Sequence, residues 1–484
     1  MASLIGPAPA GAGSPNPVVP ASIAPVPPDR RSLSALDIGI LWNDLSLGVL
    51  VLVTGALLVP ALGLPEAIGA IVLGSLIGCL PLAAVALAGA REGLPGMVLF
   101  RPVLGRAGSY LPSVLNVAQL LGWTAVEFWA MGRLANTLSI ELLGSDVFWL
   151  WLAVVAAGCT ALAIGGPVLV VKRFLERFGT WIVLASGVGL TVSLVVSGSL
   201  AGAWSGAARG GLPFLLAVDL VIVMPVSWLP LVADSTRFAR HEGRVFRATF
   251  WGYATGNAWF YVLGALLVLQ AAAPPDAQGI GTSVAGLAGG AVLLLGLLVG
   301  EAPNAFANIY STAVSTLNVV PRASAATLSV VVGAVAFLLA LQFTMDRYEV
   351  FLFLIGSVFV PLAAVFLADY FVRRRGRYGE DLVFGRSSEG LRWRALVPWI
   401  AGFLLYHWSV PTGPEGWRRA LESLFAGVGL PLPLLDSRLG ASLPSFAVAF
   451  VVALAVLPRR PNASAGAGRR RGAAPRAPRT RSAP

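Results

Sequence analysis

The sequence predicts an all-helical membrane protein with twelve transmembrane helices, and its composition and its long apolar runs support this fold class. Of its 484 residues, 57% are hydrophobic and 12% are charged. A soluble domain carries about 25% charged residues, so this chain lacks the polar residues needed to cover a soluble surface. Cys79 and Cys159 both lie in apolar runs. The composition therefore excludes a soluble enzyme, a nucleic-acid-binding module and a disulfide-linked secreted domain.

Twelve apolar segments are candidates for transmembrane helices, because a hydrocarbon core of about 30 Å requires roughly 20 apolar residues of helix. The eleventh segment is short, and the third and eighth are long enough to tilt. The predicted spans are 38–60, 66–90, 110–139, 148–171, 180–199, 213–234, 250–271, 285–311, 325–343, 349–372, 396–410 and 440–457.

The arginine residues indicate the orientation, because positive residues accumulate on the cytoplasmic side of a membrane. With both termini inside, most of the 34 basic residues fall in cytoplasmic segments. Arginine far outnumbers lysine, which is typical of a GC-rich bacterial genome. We therefore predict a multi-pass protein of the bacterial plasma membrane with cytoplasmic termini. The net charge of +11 then indicates contact with anionic inner-leaflet lipids and not with nucleic acid.

The first span carries polar residues, which are expensive in hydrocarbon and indicate functional sites. Asn43 and Asp44 lie inside this span and are followed by Gly48. Small and polar residues there allow the helix to unwind and to expose carbonyl oxygens to a cation, which is tolerated only where they line a cavity. Alternatively, Asp44 lies near the inner headgroups or pairs with an arginine.

The third span presents a polar and aromatic stripe. Gln119, Trp123 and Glu127 recur at four-residue spacing, so they share one face of the helix. A flat ligand that carries N–H groups can stack on the indole while the carboxylate accepts its hydrogen bonds. The alternative is a core-packed tryptophan beside a structurally paired glutamate.

The sixth span contains two prolines, each of which removes a helix hydrogen bond. Ser227 and Trp228 lie between Pro225 and Pro230. A span broken at its middle indicates a binding site in transporters, although a simple proline kink is the alternative. Asp219, in the same span, is either buried in protein or faces the outer vestibule.

The eighth span carries a second polar stripe, formed by Glu301, Asn304 and Asn308 around Pro303. This many polar groups must face protein or water and not lipid. Asp369, at the inner end of the tenth span, is predicted to have a structural role in a helix-end ion pair or a gate contact.

Similar features recur five spans apart, since spans one and six look broken and spans three and eight carry polar stripes. That spacing predicts an inverted repeat of five plus five helices with two helices appended. The termini are predicted to be disordered cytoplasmic tails, and the N-terminal tail lacks the charged start of a signal peptide. The predicted divisions are a tail at 1–31, a ten-helix core at 32–375 with repeats at about 32–199 and 213–375, a loop and two added spans at 376–458, and a basic tail at 459–484.

Four segments match a known family in their order and spacing: LNVAQLLGWTAVEF in span three, LPLVADSTRFAR at the end of span six, NIYSTAVSTLN in span eight and PLAAVFLADYF in span ten. On these segments the chain resembles the nucleobase–cation symporter family one, the purine, cytosine, allantoin and hydantoin permeases. The resemblance covers roughly residues 32–375. With MPVSWLPLVAD, VTGALL and LIGCL, it is nearest to the branch assigned to hydroxymethylpyrimidine.

The resemblance implies a leucine-transporter-type fold that binds substrate at the middle of the membrane between spans one, three, six and eight. Trp123 matches the stacking tryptophan of span three, and Glu127 falls where relatives place a hydrogen-bonding polar group. The segment 224–228 matches the broken middle of span six. The predicted substrate-binding residues are Gln119, Trp123, Glu127, Met224, Pro225, Ser227, Trp228, Asn304 and Asn308.

Two departures from the family pattern bear on coupling and substrate. Sodium-coupled relatives carry a Ser/Thr pair in the middle of span eight, where this chain reads EAPNA at 301–305. Both H+ and Na+ therefore remain open, with Glu127, Glu301 or Asp44 as possible proton carriers. The hydroxymethylpyrimidine branch also has an acidic residue in span one where this chain has Val51. The predicted ion-coupling residues are Asn43, Asp44 and Glu301.

The sequence thus predicts a cation-coupled symporter that imports a planar nucleobase-like substrate, cytosine or hydroxymethylpyrimidine, by alternating access. The alternatives are a transporter of the same fold for a purine, allantoin, hydantoin or an amino acid, and a membrane sensor that binds without transport. An enzyme is disfavoured, because the chain has two histidines and neither an HExxH nor a GxSxG motif. The predicted partners are the substrate, the coupling ion and anionic lipids; no cofactor, confidently placed metal site, nucleic acid or obligatory protein partner is predicted.

Overall fold

The computed structural model describes residues 23–165, 178–197, 200–271, 274–345, 348–385, 390–430 and 439–458. Within these ranges the regular secondary structure is helical, apart from one isolated bridge between Leu33 and Ala239. The predicted C-terminal tail, most of the N-terminal tail, the end of the predicted fourth span from residue 166 and the residues that follow it up to 177 lie outside the described residues.

Sixteen numbered helices form the membrane-embedded part of the described chain and its larger connections. Short helical turns at Pro28–Arg30, Gly96–Leu99, Arg101–Leu104, Leu200–Ser205 and Glu380–Val383 are left unnumbered. The numbered helices are α1 (Ala35–Asp44), α2 (Val49–Leu57), α3 (Leu64–Glu92), α4 (Tyr110–Leu143), α5 (Phe148–Gly165), α6 (Thr180–Ser197), α7 (Phe214–Ser227), α8 (Val232–Thr236), α9 (Glu242–Ala271), α10 (Ala277–Ala285), α11 (Gly290–Val319), α12 (Ala325–Ala340), α13 (Tyr348–Leu367), α14 (Trp393–Ser409), α15 (Glu415–Gly427) and α16 (Ser442–Val456).

Six described helical segments are long and apolar enough to cross a membrane, and the bent pair α1–α2 makes a seventh. They include Phe214–Thr236, which runs through α7 and α8, and Tyr348–Arg373, which extends α13 by a π-helical turn. Shorter apolar helices cover Thr180–Val196, Ala325–Ala340 and Ser442–Val456. The helical membrane fold is confirmed, whereas the total of twelve spans and the inverted repeat remain predictions.

The helices pack into two main groups. Helices α1, α2, α3, α7, α8 and α9, which are spans one, two, six and seven, pack on one another. Helices α4, α5, α6, α11 and α12 form the second group, and α13, α14 and α16 pack together beside α7. The break in span one and the polar stripes of α4 and α11 meet where the two main groups face each other.

Glycines bring the helices of the first group into close contact. A Cβ atom at Gly55 of α2 would overlap the carbonyl oxygen of Tyr261 in α9, and one at Gly264 would overlap the carbonyl oxygen of Leu52. Small residues at such contacts let helix backbones approach, which is how helices associate in a membrane without a hydrophobic driving force. These contacts make α2 and α9 one packing unit.

Candidate functional site

A buried cavity lies between the two helix groups, at the break in span one, along the middle of α4, α9 and α11 and at the end of α7. Its volume is about 20 Å³, which is room for about one water molecule. A pyrimidine ring needs several times that volume, so the lining must move apart to admit one. The lining residues are Leu45, Gly48, Leu50, Val51, Trp123, Glu127, Met224, Ser227, Trp228, Tyr253, Glu301, Asn304 and Asn308.

The break in span one supplies one wall of the cavity. Helix α1 ends at Asp44, α2 begins at Val49, and the two axes are bent by 55°. The backbone N–H of Val49 donates to Oε1 of Glu301, which extends from α11. The first N–H groups of a helix have no partner within it and carry a partial positive charge, so a carboxylate is a favourable cap there. Glu301 therefore holds the start of α2 from a different span.

Glu301 also contacts Glu127 on the facing helix α4. The two carboxyl groups line the same cavity and lie close enough to interact, and Oε2 of Glu301 accepts a bond of 3.3 Å from Nδ2 of Asn304. Glu301 is fully buried and Glu127 is 4% exposed. Among the described residues, neither carboxyl group forms an ion pair with an arginine or lysine. The cavity thus contains two acidic side chains and a backbone donor, without a paired cation from the described part of the chain.

Two tryptophans line the cavity from opposite helix groups. Trp123 on α4 packs edge-on against Phe351 at 5.3 Å and against Tyr348 at 6.1 Å between ring centroids. Trp228, in the turn between α7 and α8, packs edge-on against Trp42 at 6.1 Å. Both are nearly buried, and the surrounding rings fix their planes. The site therefore offers indole surfaces on which a flat ligand can stack.

Several buried polar atoms at the cavity have no hydrogen-bond partner in the described part of the chain. They are Nε1 of Trp123, Oε2 of Glu127, Oδ1 of Asn304 and Nδ2 of Asn308. Buried polar groups are almost always hydrogen-bonded, so unpartnered donors and acceptors around one cavity indicate a ligand that supplies their partners. Such a ligand must carry both donor and acceptor groups.

Four of the predicted site residues lie outside the cavity lining. Gln119 donates to Oδ1 of Asn116 at 2.7 Å and to the carbonyl oxygen of Ser227 at 3.0 Å, so it holds the turn in span six. The ring of Pro225 faces Gly78 of α3, because the close approach of α3 and α7 occupies that side of span six.

The other two predicted residues outside the lining belong to α1. Asn43 donates to the carbonyl oxygen of Gly252 in α9 at 3.0 Å. Asp44 is buried and accepts a bond of 3.3 Å from Oγ1 of Thr180 in α6. Glu301 is therefore the only one of the three predicted ion-coupling residues that lines the cavity, while Asp44 is close enough to interact with it electrostatically.

Five lining residues were absent from the sequence prediction of the site. Leu45, Leu50 and Val51 are apolar and give no signal in an apolar span, and Gly48 was noted only as a small residue. Tyr253 lies four residues before Asn257 on α9, so the two share a helix face. That four-residue spacing was the available signal, since it is the pattern that identified spans three and eight.

Two other carboxylates in the spans have structural partners. Asp369 forms an ion pair with Arg374 at 3.6 Å and accepts a bond of 2.9 Å from Oη of Tyr378, in agreement with the predicted helix-end role. Asp219 on α7 accepts bonds from the backbone N–H groups of Ala441 and Ser442 at the start of α16. Of the two places predicted for Asp219, the structure therefore shows burial in protein.

Polar contacts close the end of the molecule predicted to be cytoplasmic. The guanidinium of Arg237, just after α8, donates to Oη of Tyr310 on α11 at 3.1 Å and so joins the two helix groups. Arg101 donates to Oδ1 of Asn318 at the end of α11 at 2.8 Å. The cavity cannot open to this side unless contacts of this kind break.

The chain is similar in sequence to known permeases. Residues 25–422 match the family described as permeases for cytosine/purines, uracil, thiamine and allantoin. The chain is 27% identical over 362 residues to the cytosine permease of Escherichia coli (strain K12), a match that covers 73% of this chain and 81% of the relative. It is 24% identical over 403 residues to the hydantoin permease of Microbacterium maritypicum, covering 78% and 81% of the two chains. These relatives are transporters and not enzymes, in agreement with the prediction.

The fold also resembles solved structures. A nucleobase-cation-symport-1 family transporter, in a closed conformation with bromovinylhydantoin bound, has a TM-score of 0.74 at 20% identity, with 90% of this chain and 94% of that chain covered. A Na+-coupled sialic acid symporter in a substrate-bound outward-open state has a TM-score of 0.59 at 11% identity, with 88% and 89% covered. At these identities the likeness concerns the fold alone.

Proposed function

The chain belongs to the family of permeases for cytosine and purines, uracil, thiamine and allantoin, and from this premise we propose that it is a cation-coupled symporter for a planar nucleobase-like substrate. Cytosine and hydroxymethylpyrimidine are the proposed substrates. The observation that carries the proposal is the meeting of two tryptophans, a carboxylate and two unpartnered asparagine groups around one cavity. The proposed setting is a bacterial plasma membrane with both termini in the cytoplasm.

The base is recognised by stacking of its ring and by hydrogen bonds to its polar groups. The ring stacks on Trp123, whose plane is fixed by Phe351 and Tyr348, and base–aromatic stacking contributes about 1–3 kcal/mol. Glu127 accepts hydrogen bonds from the ring N–H and the exocyclic amine. Asn304 and Asn308 complete the polar contacts with a free acceptor and a free donor. A ligand with N–H groups beside carbonyl or ring-nitrogen acceptors fits this set.

Transport follows from the relative movement of the two helix groups. The cavity is too small for a base, so spans one, two, six and seven must rock away from α4 and α11 to open it on either side. Binding from outside and release inside then alternate around one central site. An ion gradient drives the cycle, with Asn43, Asp44 and Glu301 as the proposed coupling residues.

An amino-acid substrate is the less favoured candidate on this fold. A substrate carboxylate is held best at the exposed N-terminus of a half-helix. Here the start of α2 is already capped by Glu301, and Glu127 adds a second acidic group beside it. The site therefore repels an anionic ligand and favours a neutral base with N–H donors.

The test is ligand-induced thermal stabilisation of the purified protein with cytosine, hydroxymethylpyrimidine, uracil, hypoxanthine, allantoin and leucine. A ligand that binds the folded state stabilises it by RT ln(1 + [L]/Kd), so a true substrate raises the Tm in a concentration-dependent way. We expect the largest shift with an aminopyrimidine. A shift with leucine alone, or with none of the planar compounds, would contradict the proposal. Counterflow exchange of the stabilising compound in proteoliposomes separates a transporter from a sensor, which binds without exchange.

A further inference from the structure

We propose that the coupling ion is a proton held between Glu127 and Glu301, with one proton carried inward for each substrate molecule. This inference rests on the proposed symport and identifies the ion that drives it. The proton enters the pair from the outer side and leaves to the inner side, and the substrate is chemically unchanged.

The placement of two buried carboxyl groups at one cavity favours a proton shared between them. An ionised carboxylate has only acceptors, so two ionised carboxylates cannot hydrogen-bond to each other, whereas one proton gives the pair a donor. Burial of two uncompensated negative charges is also prohibitive. Glu127 and Glu301 are both nearly or fully buried and, within the described residues, lack a cationic partner. One shared proton resolves both problems.

Within the described ranges, the other titratable groups that face the pair supply no positive charge. They come from four neighbouring helices: Asp44 of α1, Cys159 of α5, Tyr253 of α9 and Tyr348 of α13. The nearest arginine along α4 is Arg133, whose guanidinium stacks on the Phe148 ring at 4.2 Å and lies two turns from Glu127. The charge of the pair therefore depends on its own proton.

The second bond of Glu301 links the proton to the conformational change. Glu127 and Glu301 lie on α4 and α11 of one helix group, whereas Val49, whose N–H donates to Glu301, begins α2 in the other group. While this cap is made, the N-terminus of α2 stabilises negative charge on Glu301. When the groups separate and the cap breaks, that stabilisation is lost and Glu301 holds a proton more tightly. A site that changes proton affinity between two conformations couples the proton to their exchange.

The same bonds leave Glu301 poorly suited to a sodium ion. Its Oε1 accepts from Val49 and its Oε2 from Asn304, so each oxygen already faces an N–H donor. A sodium ion on either oxygen would lie beside the partial positive charge of that donor, which opposes its binding. A shared proton needs only one of the remaining lone pairs of the carboxylate and leaves both bonds in place.

The experiment uses the full-length protein in liposomes loaded with a pH-sensitive dye, with cytosine as the first probe and then the compound of the panel that gives the largest thermal shift. In sodium-free buffer at equal pH on both sides, addition of the compound should acidify the interior. With one proton per substrate, an inward gradient of about one pH unit supports about tenfold accumulation, which a protonophore should abolish. Accumulation driven by a sodium gradient alone, with no acidification, would overturn the proton assignment.

Variants assign the proton to the pair. Glu301→Gln keeps the size of the side chain and an acceptor for Val49 but cannot carry a proton, so we expect both substrate-induced acidification and proton-driven accumulation to fall at least about tenfold relative to any exchange that remains. Asp219→Asn is the matched control, since it changes a buried carboxylate that also accepts backbone N–H bonds but lies away from the cavity; it should accumulate substrate as wild type does. Proton-driven accumulation by Glu301→Gln would exclude Glu301. If the wild-type protein neither binds nor exchanges any compound of the panel, the proposed function is refuted, and the proton assignment is refuted with it.

Discussion

Two buried carboxylates in this protein cap helices that belong to distant spans, yet their surroundings differ. Asp219 of α7 accepts the backbone N–H groups of Ala441 and Ser442 at the start of α16, and both of its oxygens are occupied. Glu301 of α11 caps Val49 at the start of α2 but also borders the central cavity and touches Glu127. The bonds of Asp219 do not depend on the relative position of the two helix groups, whereas Glu301 lies between groups that must separate to open the cavity.

This difference shows that depth in the membrane does not by itself identify a functional carboxylate. An intramembrane acid is a functional hypothesis by default, and Asp219 satisfies that criterion as well as Glu301 does. What distinguishes Glu301 is a cavity, a second acidic group and a cap that crosses between the two helix groups. The following predictions test whether these features separate the two carboxylates.

The largest expected effect is the loss of transport in Glu301→Ala. Removal of this side chain leaves the N–H of Val49 and the carboxyl group of Glu127 without their hydrogen-bonding neighbour, and each buried polar group left unsatisfied costs about 1–3 kcal/mol. We expect uptake of the stabilising base into proteoliposomes to fall by about 100-fold or more. Asp219→Ala, measured at equal reconstituted protein, should stay within about threefold of wild type. Equal losses in the two variants would remove the distinction between the carboxylates.

The next largest effect is weaker binding of the base in Trp123→Ala, which changes the cavity beside Glu301. Loss of base stacking costs about 1–3 kcal/mol, so the Kd of the base should rise about 5- to 100-fold and the thermal shift at fixed ligand concentration should shrink. Trp149→Ala is the control, because Trp149 is 66% exposed on the membrane-facing surface of α5. An unchanged Kd in Trp123→Ala would show that the cavity is not the base-binding site.

A smaller effect, on stability and not on transport, is expected in Asp219→Asn. The amide can accept one of the two backbone N–H bonds but brings its own N–H₂ group toward the other, so a cost of about 1–3 kcal/mol is expected. The Tm of the ligand-free protein should fall, while the increment caused by the base should match that of wild type. A normal Tm with a reduced ligand increment would place Asp219 in the transport machinery.

The sequence predicts those features of the site that are determined by residues close together in the chain. The four-residue spacing of Trp123 and Glu127, and of Asn304 and Asn308, fixes one helix face, and all four line the cavity. The break in span one was also predicted from its small and polar residues, and α1 ends at Asp44. These features are local, so periodicity and composition are sufficient.

Features that depend on packing between spans were not predictable in the same way. Pro225 faces Gly78 because α3 approaches α7 closely, and the cap of Glu301 on Val49 joins residues 252 positions apart. The sequence allows two locations for Asp219, and the contact with the start of α16 is what places it in the protein interior. A single sequence shows which side chains can make such contacts, but the packing of the helices determines which contacts form.

The smallest effects are expected from two glycines that each face one of the compared carboxylates. A Cβ atom at Gly48 would lie 3.0 Å from Oε1 of Glu301, and one at Gly440 would lie 2.6 Å from Oδ2 of Asp219. Gly48 has an ordinary backbone conformation with φ of −103°, so Gly48→Ala should slow uptake a few-fold, about 1 kcal/mol, with little change in Tm. Gly440 has φ of +69°, where an alanine is strained by about 1–2 kcal/mol, so Gly440→Ala should lower the Tm and leave uptake per folded protein unchanged. Because each variant changes only a neighbour of one carboxylate, uptake and Tm together show which carboxylate lies in the moving part of the protein. Slower uptake by Gly440→Ala at a normal Tm would argue that the contact between Asp219 and the start of α16 also moves during transport.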